Sequence, residues 1–85
     1  MTNKLQHFLD CAPPDVTARV ARAADTSPAY LRQLAAQYGG GRKPSVVLAL
    51  AIERATRAER NLNRSVPLVT VEDIGALCGW AKAPA

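Results

Sequence analysis

Apolar positions recur along this chain at the three- and four-residue spacing of helices, and prolines, glycines and short polar clusters interrupt the recurrence. Leu5, Phe8 and Leu9 make a short stripe that predicts a first helix from about Asn3 to Cys11, ended by Pro13-Pro14. Proline and aspartate both suit a first turn, so a second helix is expected from Pro14 or Asp15 to about Ala24. Pro28 is preset for the first position of a third helix, with Ser27 as its N-cap. That helix should run to about Tyr38, where Gly39-Gly40-Gly41 supplies the backbone of a helix end. Pro44 or Ser45 opens a fourth helix to about Ala58, and Leu48, Ala51, Ile52 and Ala55 on one face mark it as the main core helix, with Glu53 four residues before Arg57 in the orientation of a helix-surface ion pair. Asn61 to Pro67 reads as a polar linker, and Val69 is a candidate for a short strand. Thr70-Val71-Glu72-Asp73 fits the capping pattern of a fifth, short helix carrying Ile74 and Leu77. The expectation is an all-α fold, a compact bundle of about five short helices.

Residues Val16 to Gln37 add a specific arrangement to this outline. Val20, Ala21, Ala24, Leu31 and Leu34 stand where a helix-turn-helix needs apolar or small residues, with Ala21 placed where the second helix crosses the first. Ala24 closes the first helix of the pair, and Asp25-Thr26-Ser27 forms the turn, with aspartate tolerant of left-handed backbone. Ala29, Arg32, Gln33 and Ala36 fall off the apolar face, which leaves polar groups free to face outward.

Composition narrows the function classes. The chain has 85 residues, enough for one domain but not for a second core, and only 5% are aromatic, so Ala, Leu, Val and Ile must fill the interior. A formal charge of +4 suits a polyanionic partner without demanding one. Cys11 and Cys78 form no CxxC pair, are read as having no nearby histidine, and are expected to be isolated, buried free thiols. His7 is read as a solitary surface or satisfied histidine, and Glu72 and Asp73 point apart on a helix. The glycine triplet lacks the ending of a phosphate-binding loop. These readings weigh against an enzyme, and no metal or cofactor is expected. Neither a secretory leader nor a membrane span is apparent, so the expected location is cytoplasmic, with no membrane partner.

The succession TSPAYLRQLA, a glycine-rich basic loop ending GRKPS, then LALAIERAT and VTVED resembles the Cro/CI-type phage repressor superfamily. Within it, the chain is most similar to the small Cro-like proteins and the YdaS-type antitoxin-like proteins. Arg57 to Leu68 departs from the short turn usual there, as do Asp25 and Thr26 at the turn between the paired helices. The resemblance implies a sequence-specific DNA-binding repressor that occupies an operator in double-stranded DNA as a homodimer. Residues 1–80 would form one helix-turn-helix domain with a C-terminal dimerisation segment, and 81–85 a frayed tail.

On this reading Ser27, Ala29, Arg32 and Gln33 are the candidate base contacts, since arginine can take guanine O6 and N7 and glutamine adenine N6 and N7. Thr17, Arg19, Tyr30, Arg42 and Lys43 are the candidate phosphate contacts. Bland roles stand beside these: a cap for Ser27, a core edge for Tyr30, a solvated surface for Gln33 and the Arg42-Lys43 loop. Ile74, Leu77 and Trp80 are the candidate dimer contacts, because a domain this small should not leave them exposed. The alternative function is an antitoxin-like interaction module whose C-terminal segment neutralises a partner protein.

Overall fold

Each helix of this protein begins at a residue suited to end an extended stretch, and most of those residues cap the first turn of the helix they precede. The computed structural model describes residues 3–36 and 45–78, the side chains at 77 and 78 excepted. Its helices are α1 (Lys4–Cys11), α2 (Pro14–Ala23), α3 (Pro28–Ala36), α4 (Val46–Leu62) and α5 (Val71–Cys78). Asn3 Oδ1 accepts from the Gln6 N–H at 2.7 Å, Ser27 Oγ from Tyr30 at 3.2 Å and Ser45 Oγ from Leu48 at 3.1 Å. At α5 the capping is reciprocal: Thr70 Oγ1 accepts from the Asp73 N–H at 3.1 Å, while Asp73 Oδ2 accepts from the Thr70 N–H at 2.9 Å. Only α2 starts without a side-chain cap, and there Pro14 stands in the first turn, where a missing N–H costs nothing.

The fold is an all-α bundle, with no strand among the described residues. α2 packs against α3 and α4, α1 against α3 and α5, and α4 against α5. Leu5 and Phe8 of α1, Val20 of α2, Leu31 and Leu34 of α3, Ile52 of α4 and Ile74 of α5 are each almost fully buried, and Ala21, Ala35 and Ala49 let the helices approach. Burying a side chain of the Leu, Ile or Phe class contributes about 1.5–3 kcal/mol. That term, repeated across the cluster, holds the bundle together.

Several expectations change. α4 continues to Leu62 rather than ending near Ala58, although no apolar stripe extends that far. Its last turns are held by polar contacts: Glu59 is bound by Arg19 of α2, and the Asn63 N–H closes the helix on the Glu59 carbonyl at 2.9 Å. The Asn61–Pro67 stretch is therefore partly helix, and its remainder is packed, with Val66 and Pro67 buried. Arg60 Nη1 donates to the Val66 carbonyl at 3.0 Å and draws that loop onto α4. Val69 lies outside any strand. Its N–H donates to Thr56 Oγ1 at 3.2 Å, and the same hydroxyl lies 3.3 Å from the Val69 carbonyl and 2.9 Å from that of Ile52. Thr56 is completely buried, so this hydroxyl joins the loop to α4 where no water can substitute. Ile74, a candidate dimer contact, is also completely buried. It belongs to the core, because α5 turns this face onto α4 and α1.

Candidate nucleic-acid interface

The turn between α2 and α3 is built from backbone bonds that only one handedness allows. The Ala24 N–H bonds the Val20 carbonyl, the Asp25 N–H the Arg22 carbonyl at 3.0 Å, and the Thr26 N–H the Ala21 carbonyl at 2.8 Å. Those last two bonds form a Schellman motif with Asp25 as the left-handed residue after the cap. Asp25 accordingly has φ 59°, the one positive value at a non-glycine position among the described residues. The chain then reaches Ser27, which caps α3 as the sequence predicts. Ala21 is buried to 1% exposure, and a small side chain there lets α3 cross close to α2.

On α3 the inward face is Leu31, Leu34 and Ala35, while Ala29, Arg32, Gln33 and Ala36 are exposed. The exposed positions are spaced three, four and seven residues from the first, so they form one stripe along the helix. Arg32 and Gln33 have no hydrogen bond or ion pair among the described residues. A guanidinium and a side-chain amide are thus presented together, both capable of two parallel hydrogen bonds to a flat edge. Tyr30 is half-buried against the core. The far end of α3 is secured by Asn3, whose Nδ2 donates to the Ala35 carbonyl at 2.9 Å, so the helix that carries the stripe is tied at both ends.

Two of the candidate phosphate contacts have other work. Thr17 is buried to 4% exposure and its hydroxyl donates to the Pro13 carbonyl at 3.3 Å, so it has no path to a phosphate. The reason is helical phase: Val16, Thr17, Val20 and Ala21 together make the inward face of α2. Arg19 is exposed but occupied. Its Nε and Nη2 each lie 2.9 Å from a Glu59 carboxylate oxygen, and Nη1 lies 3.1 Å from Asp15. The paired carboxylate raises the arginine's pKa further, and the guanidinium holds Glu59 below the usual carboxylate range. Arg19 therefore serves as a strut between α2 and α4. Arg42, Lys43 and Trp80 lie outside the described residues, as does the side chain of Leu77 on α5.

The second half of the chain carries the Glu53–Arg57 ion pair that its four-residue spacing predicts, and with it a contact between elements that sequence reasoning missed. Glu53 Oε1 accepts from the Val71 N–H at 2.8 Å and Oε2 pairs with Arg57 at 3.1 Å, so one carboxylate caps α5 from α4. The Val71 N–H, then Arg57, hold Glu53 below its ordinary pKa. An open groove of about 500 Å³ lies between α1 and the 65–73 segment, lined by Lys4, His7, Arg60 and Asp73 among others. Cys11, expected to be a buried isolated thiol, is exposed, with Sγ 3.6 Å from His7 Nδ1. Their spacing of four residues on one helix was the available signal. Among the described residues no group of three or more His, Cys, Asp or Glu is placed to hold a metal, and no helix is long and apolar enough to cross a membrane.

The chain matches no protein-family model, no curated protein and no solved structure.

Proposed function

We propose that this protein is a sequence-specific DNA-binding regulator, a Cro-like repressor that inserts α3 into the major groove of an operator. The observation that carries the proposal is the exposed stripe Ala29, Arg32, Gln33 and Ala36 on a helix fixed to α2 by a tight left-handed turn. Positioning on this scale matters because base readout needs donors and acceptors held in register with the base edges. In the proposed complex Arg32 pairs with a guanine, Gln33 with an adenine, and the Ala29 methyl meets a thymine methyl. Ser27 lies at the end of α3 nearest the groove. Arg42 and Lys43 grip the sugar-phosphate strand. A homodimer would set two such helices about 34 Å apart, one turn of DNA.

Arg32→Ala tests the reading. Loss of a bidentate base contact should weaken operator binding by about 1–3 kcal/mol while leaving binding to unrelated DNA nearly unchanged. Selection of bound fragments from random duplex DNA supplies the operator, and competition binding supplies the ratio. An Arg32→Ala protein with the same sequence preference as the parent would remove α3 as the reading element.

A further inference from the structure

We propose that Asn3 is a positioning residue for base readout: its side-chain amide holds the last turn of α3, and Gln33 within it, in register with the DNA groove. Asn3 stands just before α1 and engages two helices with one planar group. Oδ1 accepts from the Gln6 N–H at 2.7 Å and caps α1, while Nδ2 donates to the Ala35 carbonyl at 2.9 Å, 32 residues further along the chain. These two neighbours fix which way the amide faces, because a backbone N–H only donates and a carbonyl only accepts. The Ala35 carbonyl is among the last four of α3, which the helix's own N–H groups do not reach, so Asn3 supplies a partner that α3 itself lacks.

α1 also packs against α3 through the shared apolar core, but burial of that kind has no direction and does not fix a helix along its own axis. The amide does. α3 is nine residues long, and its last turn, 33–36, carries Gln33 and Ala36 of the exposed stripe. Serine, threonine or aspartate would cap α1 as well, but among the capping side chains only asparagine has an N–H donor on the arm opposite its acceptor. The residue that begins α1 therefore also sets the far end of α3. The role rests on α3 being the reading helix.

Asn3→Ser tests the role, since it keeps an acceptor for the cap, removes the donor to α3 and leaves the net charge unchanged. Thr56→Val, which removes a bond from another joint of the fold, is the control for lost stability. Amide hydrogen exchange on the free full-length protein reads the tie without DNA. Exchange at 33–36 should rise about two- to tenfold in Asn3→Ser, the worth of one hydrogen bond, and keep the parent's rate in Thr56→Val. No rise in Asn3→Ser, or equal rises in both variants, would overturn the positioning role. On DNA, Asn3→Ser should lower the ratio of operator to random-duplex affinity by about two- to tenfold. The lost preference should fall on the base positions that Gln33→Ala also relaxes, and Thr56→Val should keep the parent's ratio. An unchanged ratio in Asn3→Ser beside a reduced one in Arg32→Ala would overturn the role of Asn3 and leave α3 as the reading element. Unchanged ratios in both would remove α3 as the reader and the role of Asn3 with it.

Discussion

Replacing Thr56 with valine keeps the shape of the side chain and deletes the hydroxyl, leaving the Val69 N–H without its acceptor in a site closed to water. An unmet buried donor costs about 1–3 kcal/mol, so T56V should lower the unfolding free energy by that amount in urea melts. Thr56→Ser, which retains the oxygen, should recover most of the loss. Equal stabilities for T56V and the parent would show that the hydroxyl bridge contributes nothing. Thr56 is hard to find from sequence, because a threonine inside a helix reads as a surface residue until the element packed on it is known. Thr17 and Ile74 mislead for the same reason: burial depends on which helix covers the position. Ser27 and Ala21 are legible, since a cap and a close crossing are set by local chemistry. Cys11 with His7 is legible in principle through the i,i+4 spacing, which matters only once both side chains are known to be exposed.

At the level of elements, helix starts are more legible than helix ends. Starts are fixed by capping residues a few positions away, as at Ser45 and at Thr70 with Asp73. The end of α4 is fixed instead by Arg19, forty residues earlier, through its paired contact with Glu59. The exposed stripe of α3 comes directly from the period of its apolar residues, whereas the packed course of 63–70 depends on α4 beneath it. The carboxylate contacts make these joints sensitive to acid. Glu53 and Glu59 are both held below their usual value of 4.5 by partners formed on folding. A depressed folded pKa contributes stability that is fully present above the unfolded value and lost as pH falls through the folded one. Stability should therefore decline below about pH 4.5 as these two groups take up protons. Glu59→Gln should be less stable than the parent at neutral pH, and the two unfolding curves should converge as pH drops. Parallel curves down to the acid limit would mean that the Arg19 strut carries no charge-dependent stability.

For the whole molecule, the proposed interface predicts a division of labour between reading and gripping. Changing Arg42 and Lys43 together to alanine should weaken binding to all duplexes alike and reduce the slope of log affinity against log salt by about 0.9 for each phosphate no longer neutralised. Measured at several salt concentrations, an unchanged slope would remove this loop from the phosphate surface. Arg32→Ala should leave the slope in place while altering sequence preference, so the two variants separate the roles. The pairing of helices has a different implication. α2 closes on α4 and α1 on α5, so the interior is shared between the described segments 3–36 and 45–78. A chain severed within 37–44 should therefore lose helix in each piece and regain it on mixing, as circular dichroism would read.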